Sequence, residues 1–158
     1  MPKSTDEAVM QQLIAYAHER MSKQNAYPFC AFVVKDDQVI ARAFNDVNNS
    51  WGDRTTHGEM IALKKVSQAH HSTTAIRGVS VYTTCEPCLA CFETIFWSGA
   101  KRIIYSVGKT EFAEYFHDHS FDIHQFPKQH PGMIEIVGGV LKEDGVQLFQ
   151  TAKEKYGW

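Results

Sequence analysis

The order of apolar segments along the chain predicts an α/β fold, a three-layer α/β/α sandwich on one mixed five-stranded sheet. Segments with helical spacing alternate with short apolar, partly β-branched runs, in the order α-β-β-α-β-α-β-α-β-α. Helices between strands cover both faces of a sheet, whereas two strands joined by a short turn are antiparallel. A chain of 158 residues suits one well-buried domain, so we predict a single domain over residues 1–158.

The first half of the chain predicts two helices around a β-hairpin. The first helix opens on a capping hydroxyl and acidic residues, and its apolar residues keep helical spacing. The hairpin strands flank a short polar turn, and a loop rich in Asn and Asp separates them from the second helix. The predicted bounds are Ser4 or Thr5 to Met21, Cys30–Val34 and Val39–Phe44 for the hairpin, 45–56 for the loop and His57 to about His70.

The second half predicts three strands and three further helices. Gly99 ends one helix, and the last helix has apolar residues on one face. Between them lies a short helix and then a loop with histidines and prolines, in which no second metal site is predicted. The predicted strands are Gly78–Thr83, Arg102–Val107 and Ile134–Val137, and the helices are Cys88–Ser98, Glu111–Phe116 and Glu143–Lys155.

Composition and charge exclude several classes of protein. The hydrophobic fraction of 44% and charged fraction of 22% are ordinary for a globular domain, and no apolar run is long enough for a membrane span. The N-terminus is polar and acidic, unlike a signal peptide, so we expect a cytoplasmic protein. A net charge of −2 makes a large nucleic-acid substrate unlikely and favours a small neutral one.

Two short segments supply three metal ligands and one free carboxylate. His57 and Glu59 stand in the first, and Cys88 and Cys91 in the second, within Pro87-Cys88-Leu89-Ala90-Cys91. A structural zinc is usually enclosed by four protein ligands, whereas a catalytic zinc has three and keeps one position for water. We therefore predict one zinc ion held by His57, Cys88 and Cys91, with Glu59 as the catalytic acid and base beside it.

Both segments fall at predicted helix starts. Cys88 and Cys91 are three residues apart and share one face of a first turn, and His57 opens the other helix. The partial positive charge of a helix N-terminus favours the thiolates that a metal needs. The sequence thus predicts that two helix ends converge on one cation.

Two simpler interpretations compete with this one. Thr56-His57-Gly58-Glu59 fits a capping box, in which Glu59 would bond back to the Thr56 amide. Cys85, Cys88 and Cys91 form C-x2-C-x2-C, which begins one type of iron–sulfur motif, with Cys30 as a distant fourth ligand. The cluster alternative leaves His57 and Glu59 without a role, so we favour zinc.

Several segments carry a resemblance to a known family. Their pattern is similar to the cytidine deaminase-like superfamily, whose zinc motif is H-x-E followed by P-C-x-x-C. Within it, the chain most resembles the bacterial-type guanine deaminases and their relatives, the tRNA adenosine deaminases. The resembling segments are Pro28-Phe29-Cys30-Ala31, Asn45, His57-Gly58-Glu59-Met60, Thr84 to Cys91 with Phe96-Trp97, and, for the guanine branch, Thr110 to Glu114 and Asp118-His119-Ser120-Phe121.

The resemblance implies hydrolytic deamination of a nucleobase, guanine to xanthine and ammonia. In that interpretation the amide of Asn45 pairs with a purine edge, Phe29 and Trp97 sandwich the ring, and Asp118 accepts from a ring N–H. Core packing of the two aromatic residues is the simpler alternative. The resemblance also implies a homodimer in which the C-terminal segment, about residues 138–158, can be exchanged between subunits and bring Tyr156 to the partner's pocket.

Other substrates stay open at this point. A tRNA adenosine deaminase would need a basic surface around the pocket. A pocket for cytosine or another aminated heterocycle could differ by a single hydrogen-bonding side chain.

Two departures from the family pattern stand out. Gly58 replaces the usual Ala, a cost of about 1 kcal/mol in mid-helix and less in a first turn, and Gly157-Trp158 extends beyond the usual end.

Overall fold

The computed structural model describes residues 4–72, 74–113 and 121–157 and confirms the predicted mixed five-stranded sheet with helices. The helices are α1 (Ser4–Gln24), α2 (Gly58–His70), α3 (Leu89–Trp97), α4 (Gln125–Gln129) and α5 (Lys142–Tyr156). The strands are β1 (Cys30–Lys35), β2 (Gln38–Phe44), β3 (Ser80–Cys85), β4 (Arg102–Val107) and β5 (Glu135–Val137). One 3₁₀ turn, Lys109–Phe112, follows β4.

The sheet has the strand order β2-β1-β3-β4-β5. β1 is antiparallel to both β2 and β3, whereas β3, β4 and β5 run parallel to one another. Asp36 and Asp37 connect β1 to β2 with φ of 49° and 60°, the left-handed pair that a tight hairpin turn requires. The parallel strands put their carboxyl ends, Cys85 and Val107, side by side at one edge of the sheet.

Helices cover both faces of this sheet because successive strand residues point to opposite sides. On one face, α1 and α5 pack over the side of β1 that carries Phe32. On the other, α2 and α3 pack over the side that carries Val33. Every residue of β1 from Cys30 to Val34 is buried, as expected for a strand covered on both faces. Within the described ranges, the helices are all too short or too polar to cross a bilayer.

Three local predictions need correction. β3 begins at Ser80 rather than Gly78, because Gly78 has φ of 79° and belongs to the preceding turn. The short helix predicted from residue 111 is a 3₁₀ turn that begins at Lys109, and its predicted end lies outside the described residues. Helix α4 was not predicted, because Pro127 and the histidines indicate a loop; Phe126 packs its ring 4.6 Å from that of Phe96 and holds this turn in place.

A buried ion pair fixes α1 to the sheet. Asp6 is fully buried, and both of its oxygens accept hydrogen bonds of 2.9 Å from the guanidinium of Arg102 at the start of β4. The hydroxyl of Tyr82 donates a further bond of 2.7 Å to the same carboxylate. Arg102 also pairs with Glu135 on β5, so one guanidinium joins the helix to two strands.

Arg102→Met should destabilise the protein by about 3–5 kcal/mol, because it leaves the buried charge of Asp6 without its cation. Urea unfolding followed by circular dichroism measures this difference. Lys23→Met is the matched control: Lys23 lies 2.7 Å from Glu19 in an exposed pair one helical turn apart, and its loss should cost about 0.5 kcal/mol or less. An equal loss of unfolding free energy in Arg102→Met and Lys23→Met would contradict the role given to Arg102.

Candidate metal centre

The two predicted ligand segments meet at the edge where the parallel strands end. β3 stops at Cys85, and Pro87 turns the chain into α3, whose N-cap residue is Cys88. α2 begins at the same edge with His57 as its N-cap residue. The first turns of both helices therefore face one point, as the sequence predicts.

The ligand atoms lie at the separations that a tetrahedral metal requires. Nδ1 of His57 is 3.3 Å from Sγ of Cys91 and 3.7 Å from Sγ of Cys88, and the three atoms lie within 4.8 Å of one another. Ligands bound about 2.0–2.3 Å from a tetrahedral zinc are about 3.5 Å apart. One nitrogen and two sulfurs at this spacing fit zinc, with one position left for another ligand.

Ionisation of the metal-free ligands favours cation binding. Hydrogen bonding from Cys91, and then from His57, lowers the pKa of the Cys88 thiol to about 4. The same contact with Cys88, together with burial, raises the pKa of Cys91 well above its usual value. Hydrogen bonding to Cys88 raises the pKa of His57. One thiolate is thus present near neutral pH, and binding of a metal would release the proton of Cys91.

Glu59 is buried beside these ligands and does not form the capping box with Thr56. It is the second residue of α2, after Gly58, so it cannot occupy the third position that a capping box requires. Thr56 instead donates its hydroxyl to the carbonyl of Asp53, at 2.6 Å. Burial raises the pKa of Glu59, and its carboxyl group contacts the thiol of Cys91. The capping-box alternative is therefore wrong, and the carboxyl group faces the ligand cluster.

Gly58 lets α2 begin directly against the sheet. A Cβ atom at this position would lie 3.2 Å from the carbonyl oxygen of Phe29 and 3.4 Å from the amide of Ala31. Both are backbone atoms of a buried strand region and have little room to move. The glycine that departs from the family pattern thus brings the first turn of α2 unusually close to β1.

Asn45 lies at the end of β2, and its amide group is partly engaged. Its backbone N–H donates to the carbonyl of Phe29 at 2.8 Å, which places it beside the start of β1. Its side-chain oxygen accepts the N–H of Val47 at 2.9 Å and forms an Asx turn. An amide oxygen has two lone pairs, so this bond leaves Asn45 both a donor and an acceptor, and its pairing with a purine edge stays a prediction.

Phe29 and Tyr156 lie next to the site but take part in core contacts of the same chain. The ring of Phe29 packs edge-on against Phe149 of α5, with centroids 5.5 Å apart. Tyr156 donates its hydroxyl to the carbonyl of Ala26 at 2.7 Å and packs against Tyr27. Both residues therefore hold the segment that leads into β1, and their contact with a substrate stays a prediction.

Trp97 does not join the cluster within one chain. It ends α3, about 13.5 Å along the helix axis from Cys88, and it is 79% exposed. Its indole N–H donates to Glu93 at 2.9 Å, beside an open surface groove of about 530 Å³ between α2 and α3. A sandwich of the substrate between Phe29 and Trp97 of one chain therefore does not fit this geometry. Asp118 lies outside the described residues.

Sequence reasoning missed residues that hold the site in place. Thr84 is fully buried, and its hydroxyl donates to the carbonyl of Pro28 at 2.7 Å and accepts the N–H of Cys30 at 3.1 Å. Glu86 accepts the N–H of Lys109 at 3.1 Å. Glu86 adjoins the Pro87-Cys88 motif, a position that could have signalled its role, whereas the contacts of Thr84 span more than 50 residues of sequence.

The family is established by comparison with known proteins. The pattern described as the cytidine and deoxycytidylate deaminase zinc-binding region matches residues 3–107, which is more than half of the chain. The chain belongs to this family. It is a deaminase of the zinc-dependent hydrolytic type, as the sequence predicts. The iron–sulfur alternative gains no support, because the ligand cluster found among the described residues includes neither Cys30 nor Cys85.

Curated relatives are named for more than one substrate. Guanine deaminase of Bacillus subtilis (strain 168) is 32% identical over 115 residues, which cover 73% of this chain and 72% of that protein. The tRNA-specific adenosine deaminase of Aquifex aeolicus (strain VF5) is 31% identical over 88 residues, which cover 56% and 57%. Both proteins are deaminases, so the reaction class is shared and the substrate is not.

Solved structures support the fold. The structure of guanine deaminase from Nitrosomonas europaea has a TM-score of 0.83 at 18% identity and covers 94% of this chain and 84% of its own. A structure from studies of A-to-I editing by tRNA:A34 deaminases has a TM-score of 0.69 at 20% identity, covering 88% and 96%. The predicted α/β fold is confirmed by these superpositions.

Alkylation of the metal-free protein should modify Cys88 first. At about pH 6 its thiolate is formed and partly accessible, whereas the other three cysteines are buried and protonated. Brief iodoacetamide treatment after chelation, followed by peptide mass spectrometry, should find Cys88 labelled several-fold faster than Cys30, Cys85 or Cys91. Added zinc should suppress that label, and equal labelling with and without zinc would contradict the ligand assignment.

Proposed function

We propose that the protein deaminates guanine to xanthine and ammonia, with zinc at the site formed by His57, Cys88 and Cys91. The observation that carries the reaction type is the cluster of one imidazole and two thiols within 4.8 Å, together with a buried carboxyl group at Glu59. The choice of guanine is supported by the 32% identity to a guanine deaminase over 73% of the chain.

His57, Cys88 and Cys91 would hold the metal, each from the first turn of a helix or its N-cap. Zinc bound there would act as a Lewis acid and activate water for attack on the amine-bearing carbon of the ring. Burial of Cys91 and of Glu59 excludes bulk water from the inner side of the cluster. Because the site is partly shielded from water, interactions between charges within it are stronger than in bulk solvent.

Glu59 would carry the protons of the reaction. One carboxylate near both the attacking water and the ring can take a proton from the water and deliver it to the adjacent ring nitrogen. The same group can then take the second proton of the added water and pass it to the amino group, which leaves as ammonia while the ring carbonyl forms. This role requires a carboxyl group that does not itself coordinate the metal, and the burial of Glu59 in contact with Cys91 supports it.

Asn45 would orient the base. The Asx turn with Val47 orients the amide, which keeps its NH₂ donor and a second lone pair of its oxygen for the hydrogen-bonding edge of the base. Phe29 would border the pocket, since its carbonyl lies between Asn45 and Gly58. Asp118, on the segment between Ala113 and Phe121, is proposed to accept a ring N–H, and Trp97 could contact a substrate only across a subunit boundary.

Adenosine deamination in tRNA is the second candidate. The 31% identity to the Aquifex aeolicus enzyme over 88 residues favours it. Such an enzyme binds a flipped-out nucleotide and the phosphates around it, which needs positive charge near the pocket. The net charge of −2 supports a free base over an RNA.

A homodimer is also part of the proposal, with the C-terminal segment, about residues 138–158, able to exchange between subunits. Within one chain, α5 buries Leu148, Phe149 and Ala152 in the core, and an exchanged segment would make the same contacts with a partner. Light scattering of the purified protein should give twice the mass of 17.9 kDa. A monomer that retains full activity would refute the dimer and leave the site unaffected.

Ammonia release from a panel of bases and nucleosides tests the substrate. Guanine should be deaminated at least about 100-fold more efficiently, in kcat/KM, than adenine or cytosine, because a mispaired polar edge leaves buried groups unsatisfied. Adenosine in a tRNA anticodon stem-loop belongs in the same panel. Activity on that RNA without activity on guanine would overturn the substrate assignment.

Glu59→Gln is the matched variant for this assay. It keeps the shape of the side chain and removes its ability to take a proton, so kcat should fall by about 10²–10⁴ while one zinc per chain stays bound. Metal analysis and circular dichroism check that zinc and fold are retained. A Glu59→Gln enzyme with undiminished turnover would exclude the proton-transfer role.

A further inference from the structure

The carboxylate directly before the metal motif is held by one lysine. Glu86 is 9% exposed and is followed by Pro87 and Cys88. One of its oxygens accepts the backbone N–H of Lys109 at 3.1 Å, and the other lies 3.7 Å from the ammonium group of the same residue. The backbone N–H of Glu86 donates to the carbonyl of Val107 at 2.7 Å. The turn that presents Cys88 is thus fastened to the end of β4.

The same ammonium group reaches a third element. Nζ of Lys109 donates to the carbonyl of Phe121 at 2.5 Å. Phe121 packs its ring 5.9 Å from that of Phe92, the residue that follows Cys91 on α3. Lys109 therefore joins the chain before Cys88, the end of β4 and the segment that packs beside Cys91.

The surroundings of this lysine are acidic, which explains why a cation is needed there. Oxygens of Glu86 and Asp122 and a ring nitrogen of His124 lie within 4.8 Å of one another. His124 is in turn hydrogen-bonded through Nε2 to the hydroxyl of Tyr105, at 2.6 Å. Lys109 is itself 8% exposed, and its ammonium group lies 3.7 Å from the carboxylate of Glu86.

We propose that Lys109 is a positioning residue for the metal site, acting through Glu86 to fix the Pro87-Cys88 turn and so the place of the Cys88 sulfur. The inference rests on the proposed ligand set of His57, Cys88 and Cys91. Residues that hold metal ligands in place from outside the coordination sphere typically change metal affinity or activity by about 10–100-fold when they are removed.

Lys109→Met tests this role through the metal rather than through turnover. The variant should bind zinc at least about tenfold more weakly than the wild type in competition with a chromogenic chelator. Lys23→Met is the matched control, because Lys23 forms an exposed pair with Glu19 on α1, which includes no residue of the metal motif, and its zinc affinity should equal that of the wild type. Wild-type zinc affinity in Lys109→Met would overturn the proposal.

The double variant Glu86→Gln/Lys109→Met separates positioning from a general loss of stability. It removes the buried anion together with its cation, so thermal stability should recover relative to Lys109→Met. Zinc affinity should stay at least about tenfold below the wild type, because the ammonium group that joins Glu86 to Phe121 is still absent. If zinc affinity recovers together with stability, Lys109 has only a structural role and the proposal fails. If Lys109→Met alone does not fold, the zinc affinity of the double variant still tests the proposal.

Failure of this inference can be distinguished from failure of the proposed function. Zinc affinity is measured without substrate, so it reports on the site whatever ring the enzyme accepts. A wild type that binds zinc and releases no ammonia from guanine would refute the substrate and leave the role of Lys109 unaffected. A wild type that binds no zinc would refute both.

Discussion

The convergence of two helix N-termini at one sheet edge is the constraint on which the rest of the site depends. His57 and Cys88 are 31 residues apart in sequence, and each is the N-cap residue of its helix. The parallel pairing of β3 with β4 sets where the turn before Cys88 begins, and Gly58 brings α2 against β1. The positive ends of two helix dipoles favour thiolates at this point. The metal ligands are thus positioned by the sheet rather than by a dedicated loop.

Much of the fold could be predicted from the sequence because hydrophobic periodicity and turn residues act locally. The bounds of β4 match the prediction, since four of its six residues are apolar and the run is flanked by Lys101 and Gly108. Helix α4 was missed because Pro127 opposes a helix locally, whereas the packing of Phe126 on α3 stabilises one. Contacts distant in sequence, such as those of Lys109 with Glu86 and Phe121, leave no local pattern to read.

Part of the candidate site could likewise be predicted from local sequence, and part could not. The spacing of the histidine and cysteines predicted the cluster, because helix geometry alone places the first turn of each ligand segment. The orientation of Asn45 depends on an Asx turn, and the exposure of Trp97 depends on where α3 ends, so neither follows from residue type. The ligand cluster and the family match together support hydrolytic deamination as the reaction type. The ring that is deaminated depends on the few side chains that border the pocket, which explains why relatives at 32% and 31% identity act on different substrates.

X-ray absorption at the zinc edge of the purified protein tests the central claim most directly, because it counts the atoms bound to the metal. We expect two sulfurs at about 2.3 Å, one imidazole nitrogen at about 2.0–2.1 Å and one further light atom that is not from the protein. A third sulfur in the coordination sphere would mean that Cys85 or Cys30 closes the site and that the zinc is structural. That result, or protein that binds no zinc, would contradict the account.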